Sequence, residues 1–159
     1  MNDGTVYSLV EDEFFMRQAL YEAELAAIKG DVPIGAVCVR DKRIIAWSHN
    51  EREASHDPTG HAEMLAIRRA AAELQSWRLS NCTLYVTLEP CLMCSGALIN
   101  SRIDRVVFGP YDPKSGALGS LYNVGCDPRL NHEMEIVGGV LEEISSRMLS
   151  EFFQQLRSN

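Results

Sequence analysis

Residues 82–100 read CTLYVTLEPCLMCSGALIN. The run from Cys82 to Leu88 is short, apolar, β-branched and aromatic, which predicts a strand buried within a sheet. Glu89-Pro90 ends it, since proline brings no amide to a ladder. From Cys91 to Asn100 the composition turns helical, and Arg105–Gly109 (RVVFG) reads as the next strand. Strand, helix and strand in that order is the building unit of an α/β domain.

The flanks extend the same pattern. Ser8 and Glu11 form an S-x-x-E capping box ahead of an apolar stripe, Phe14, Phe15, Ala19, Leu20, Ala23, Ala26 and Ala27. This predicts a first helix from about Leu9 to Lys29, stopped by Gly30. Pro33–Arg40 and Arg43–Ser48, joined by Asp41-Lys42, read as a hairpin. A polar loop covers 49–60, and Asp57-Pro58-Thr59 precedes a stretch rich in helix formers, His61–Leu74. Residues 110–125 form a glycine-rich loop too long for a plain connector, hence a candidate active-site loop. A strand at Glu135–Val140 and an amphipathic helix from about Leu141 to Leu156 finish the chain. The prediction is one domain over 1–159, a three-layer α/β/α architecture with a five-stranded mixed sheet.

The 159 residues (17.8 kDa) are 46% hydrophobic and 23% charged, ordinary for one globular domain. Neither a secretory leader nor an apolar run of membrane length is present, so no membrane partner is expected and the cytoplasm is the expected location. In that reducing setting the five cysteines read as metal ligands or thiols, not as a disulfide framework. The net charge of −7 does not advertise nucleic acid, yet it is unevenly placed. Residues 1–31 carry −5 and residues 133–159 carry −3, whereas residues 32–132 carry +1. The central segment thus leaves room for a small phosphate-contacting set, with Arg52, Lys114, Arg129 and Arg157 as candidates.

That central segment holds His61-Ala62-Glu63 and, 30 residues after the histidine, Cys91-Leu-Met-Cys94 behind Pro90. A lone C-x-x-C fits a redox pair or half of a structural zinc site, and a lone histidine is usually no ligand. Together, each at a predicted helix start, they converge on one chemistry. The helix N-termini favour thiolates. One imidazole and two thiolates suit zinc and leave a fourth tetrahedral position open for water. Glu63, two residues past His61, projects beside such a site and can carry protons. Taken alone, it reads as an acid complementing the helix dipole. The competing reading of the cluster is a closed structural site, with His49, His56, Cys38, Cys82 or Cys126 as the fourth ligand.

H-x-E followed by P-C-x-x-C resembles the zinc-dependent nucleoside and nucleobase deaminases. VPIGAV (32–37), HDPTGHAEMLAI (56–67), LYVTLEPCLMCSGALINSRI (84–103) and VVFGPYDPKSGALGS (106–120) further resemble their bacterial tRNA adenosine deaminase subfamily. The resemblance implies one zinc per subunit at His61, Cys91 and Cys94, with Glu63 as proton shuttle. It also implies substrate contacts from Asn50, Asp112 and the amide of Ala62. Val32, His56, Leu88 and Phe153 are candidates for the pocket wall. The implied reaction is hydrolytic: water attacks C6 of adenine, Glu63 relays the proton, and ammonia leaves to give inosine. The implied partners are the anticodon stem-loop of a tRNA, whose wobble adenosine can be splayed out, and a second copy of the chain. The alternatives are a deaminase of a free base or nucleoside, guanine or cytosine, and a non-catalytic zinc-binding RNA module, which would not need Glu63.

Overall fold

In the computed structural model, which describes residues 7–159, the elements run α1 (Leu9–Ile28), β1 (Gly35–Arg40), β2 (Arg43–His49), α2 (Arg52–Ser55), α3 (Ala62–Leu74), β3 (Cys82–Val86), α4 (Leu92–Asn100), β4 (Arg105–Phe108), β5 (Glu135–Val137) and α5 (Glu142–Ser158). A single 3₁₀ turn at Val124–Cys126 lies in the long loop before β5. The five strands form one sheet in the order β2-β1-β3-β4-β5. β1 pairs antiparallel with both β2 and β3, while β3-β4 and β4-β5 are parallel, so the sheet is mixed as expected.

Alternation along the central strands creates the three layers. Ala36, Cys38, Leu84, Val86, Val106 and Phe108 pack with Ala62, Ala66 and Ala70 of α3 and Leu98 of α4. Their neighbours Val37, Val39, Tyr85 and Val107 point the other way, against Phe15, Met16, Ala19 and Leu20 of α1 and Met148 of α5. Two apolar faces explain why Cys82–Val86 carries no polar alternation. Among the described residues no helix is long and apolar enough to cross a membrane.

The elements differ from expectation at their ends. β3 stops at Val86, two residues before Leu88. β5 stops at Val137, because Gly138-Gly139 follows and Gly139 adopts φ +89°, a left-handed turn out of the sheet. Helices α3 and α4 begin one residue later than the motif, leaving His61 and Cys91 as extended N-cap residues. The loop over 49–60 contains α2, which the sequence did not announce.

The α1 side is locked by a buried ion pair. Arg105 donates from both terminal nitrogens to Asp12, at 2.8 and 2.7 Å, and the Tyr85 hydroxyl donates to the same carboxylate at 2.7 Å. Asp12 is 4% exposed. Burial and the adjoining carboxylate raise the Tyr85 phenol well above its ordinary range. Asp12→Ala therefore leaves the part-buried Arg105 guanidinium with only Glu135, 3.5 Å from its Nε, and is expected to cost about 2–4 kcal/mol, read as a lowered denaturant midpoint; a loss below about 1 kcal/mol would contradict the role given to the pair.

Candidate active site

The C-terminal end of β3 and the start of two helices bring the motif together. Cys91, at φ −74° and ψ 177°, and His61, at φ −78° and ψ 146°, make no side-chain cap to their helices. Their side chains are free to turn across the helix ends. Cys94 enters from the first turn of α4 and is fully buried. His61 Nδ1 stands 3.7 Å from Cys91 Sγ and 3.5 Å from Cys94 Sγ, and the three donor atoms lie within 4.8 Å of one another.

This spacing fits zinc. A tetrahedral ion with its usual bonds to sulfur and imidazole nitrogen separates those two donors by about 3.6 Å. The acidities agree with the donor set. Cys91 is pulled down to about 4, first by the hydrogen bond from the Cys94 thiol and then by His61. Cys94 is pushed up by the same contact and by burial. Its contact with Cys91 raises His61.

The proposed fourth ligands for a closed site are elsewhere. His49 is bound on one side by Glu22, at 2.6 Å from Nδ1, and on the other by Lys29, at 3.1 Å from Nε2. Cys38 and Cys82 are packed in the core, Cys126 is exposed, and among the described residues no fourth donor joins the cluster. His56, expected on the pocket wall, instead forms the exposed left-handed end of α2, with φ +49°, and does not line the cleft.

Glu63 follows the cluster in the first turn of α3. It is 4% exposed, and burial raises its carboxyl above the usual carboxylate range. Asn50 joins the start of β1 to the start of α3. Its backbone N–H donates to the Ile34 carbonyl at 3.1 Å, and its side-chain Oδ1 accepts from the Ala62 backbone N–H at 2.9 Å. The Ala62 amide, expected to meet the substrate, thus has a partner within the chain. Among the described residues the Asn50 Nδ2 donors have none, and Asn50 lines the cleft. Ser48 Oγ fixes the same corner by donating to the Ala62 carbonyl at 2.6 Å.

The cleft over His61 has a volume of about 600 Å³. Val32, Leu88, Phe153 and Asp112 line it. Asp112 is tied into its own turn, accepting from the Lys114 amide at 3.0 Å and the Ser115 hydroxyl at 2.7 Å. Four lining residues of α5, Ser146, Leu149, Ser150 and Phe153, recur at i, i+3, i+4 and i+7. That helical stripe was readable in the sequence but passed unnoticed because two of its members are serines. Phe152 lies edge-on to Phe153, with centroids 5.5 Å apart. Of the basic candidates, Arg52 and Lys114 line the cleft, and Lys114 and Arg157 share an adjoining groove of about 390 Å³. Arg129 lies outside both and is paired with Asp127 at 2.7 Å.

Residues 10–157 match the model of the MafB19-like deaminase family. A tRNA-specific adenosine deaminase of Bacillus subtilis (strain 168) is 52% identical over 149 residues, spanning 94% of this chain and 92% of that protein. A solved structure from work on A-to-I editing by tRNA:A34 deaminases at the wobble position of transfer RNA superposes with a TM-score of 0.83 at 43% identity, covering 86% of this chain and 99% of the other. A guanine deaminase from Nitrosomonas europaea, at 23% identity and a TM-score of 0.73 over 96% of this chain and 97% of its own, shares the fold.

Proposed function

The chain belongs to the tRNA-specific adenosine deaminases, and we propose that its cleft hydrolyses the wobble adenosine of a tRNA anticodon to inosine, with one zinc held by His61, Cys91 and Cys94. The carrying observation is the pairing of a three-donor cluster of zinc spacing with a buried carboxyl beside it, in a chain 52% identical to a relative of that activity. Zinc in that site supplies Lewis acidity that brings the ionisation of water towards neutral pH.

The remaining work falls to the chain itself. Adenosine and water become inosine and ammonia, so a proton must travel from the water to the departing amino group. Glu63 suits that transfer, because it stands buried beside the donor cluster and burial raises its carboxyl, which makes it a readier proton acceptor than an exposed carboxylate. Asn50, anchored through Oδ1, has its Nδ2 donors left for the nucleoside. Val32, Leu88 and Phe153 supply apolar wall for a flipped base, and Asp112 lines the same cleft. Arg52 and Lys114 are within the cleft for flanking phosphates, a footprint small enough for an acidic chain.

A homodimer is part of the same proposal. Leu92, Leu121 and Tyr122 are 52, 54 and 55% exposed. They gather beside the metal-bearing turn, where Cys91 bridges Gly116 and the Gly116 carbonyl accepts the Leu121 amide at 2.9 Å. Clustered exposed apolar side chains favour burial against a partner. The protein is proposed to work in the cytoplasm.

The zinc-loaded chain is expected to form inosine in an anticodon stem-loop, to leave free adenosine, guanine and cytosine nearly untouched, and to sediment at twice the 17.8 kDa chain mass. Efficient turnover of a free base with the stem-loop unchanged would reverse the substrate assignment, and a monomeric active species would remove the dimer.

A further inference from the structure

Glu89 is a carboxylate 2% exposed, two residues before Cys91, and among the described residues no cation pairs with it. Burying an unpaired carboxylate costs several kcal/mol unless hydrogen bonds replace its water. Its two oxygens accept four. Oε1 takes the Asp112 amide at 2.8 Å and the Ser120 hydroxyl, and Oε2 takes the Leu118 and Ser120 amides, each at 3.0 Å. All four donors belong to the loop after β4. Gly116 lies between them, and a Cβ there would stand 2.2–2.4 Å from the carboxylate atoms, so only glycine lets the loop wrap this closely.

The same loop turns its outer side to the cleft through Pro110, Tyr111, Asp112, Pro113, Lys114 and Ser115. On the inner side it docks on the metal-bearing turn, the Ala117 amide donating to the Pro90 carbonyl at 2.9 Å. One side chain therefore joins the turn that holds Cys91 to the wall that carries Asp112 and Lys114. We propose that Glu89 is a positioning residue for substrate: its carboxylate sets the 110–120 loop at the height at which the loop meets the RNA. This role presupposes that the cleft takes the anticodon stem-loop.

Glu89→Gln tests it at constant volume. A glutamine amide presents two donors where two loop donors already point, so part of the cradle must open. KM for the stem-loop is expected to rise about 10–100-fold with kcat within about threefold of the parent, as for loss of charge-assisted bonds away from the reacting atoms. Zinc is expected to stay at one per chain while the amides of 112, 118 and 120 lose protection from hydrogen exchange. Ser120→Ala removes one donor of the four and keeps the test open if the glutamine variant does not fold; its KM is expected to rise about threefold to tenfold. Loss of zinc with the loop would make Glu89 a scaffold of the metal turn instead. Unchanged KM, with or without altered exchange, would equally overturn the proposal. A parent chain inactive on the stem-loop sinks the substrate reading, and this role with it; the exchange data alone judge the hold of Glu89 on the loop.

Discussion

Glu63→Gln is expected to lower kcat on the stem-loop by about 10²–10⁴, roughly 3–5 kcal/mol of barrier, while zinc stays at one per chain. The size follows from what the carboxyl can do that an amide cannot. Glu63 sits in the first turn of α3 with 4% of its surface exposed, so bulk water is poorly placed to replace it as a proton carrier. Burial raises its carboxyl above the usual carboxylate range, which makes it a readier proton acceptor than an exposed acid. Glutamine keeps the volume and one acceptor but has no proton to exchange. The metal should be indifferent, because the three donor atoms that converge are those of His61, Cys91 and Cys94. A Glu63 that merely complemented the α3 dipole would be worth about 0.3–1 kcal/mol of stability and nothing in kcat. Single-turnover deamination with zinc analysis on the same preparation separates the two, and near-parental kcat would remove the proton relay.

The His61, Cys91 and Cys94 cluster was legible because its residue types are rare and their spacing is local, one step ahead of α3 and within one turn of α4. The layers were legible for a related reason: Cys82–Val86 is apolar on both faces, and that pattern belongs to a central strand. The parts that were not legible depend on contacts distant in sequence. The short helix α2 has no side-chain cap at its own start; the Glu53 amide instead donates to Asp31 Oδ2, 22 positions earlier, at 3.0 Å. With α2 unseen, His56 could not be recognised as its left-handed end. Asn50 and Ala62 are hydrogen-bonded across 12 positions, a pairing that no local pattern displays. Glu89 was read only as a strand stop, since its four donors lie 23 to 31 residues further on. In each case the sequence shows a polar residue next to a turn, and only the fold tells whether that residue faces substrate or holds the wall that does.

Cys91→Ser is expected to abolish turnover by removing the metal, and stability provides a second readout that does not depend on substrate. Serine preserves the side-chain size at a position of intermediate exposure that makes no helix cap, so the N-cap geometry should survive. What is lost is a donor that ionises easily. Cys91 is drawn down to about 4 by its neighbours, whereas a serine hydroxyl stays protonated and is a poor zinc ligand. Zinc content is therefore expected to fall below about a tenth per chain. Because zinc binds the folded site, the parent gains RT ln(1 + [Zn]/Kd), about 4 kcal/mol at a thousandfold excess over Kd. Chelation should lower the melting temperature of the parent, and added zinc should restore it. The serine variant should melt near the chelated parent and respond to neither treatment. A variant that retained stoichiometric zinc and the chelator-sensitive melt would show that Cys91 is not a ligand, and the open three-donor site would have to be rebuilt from other residues.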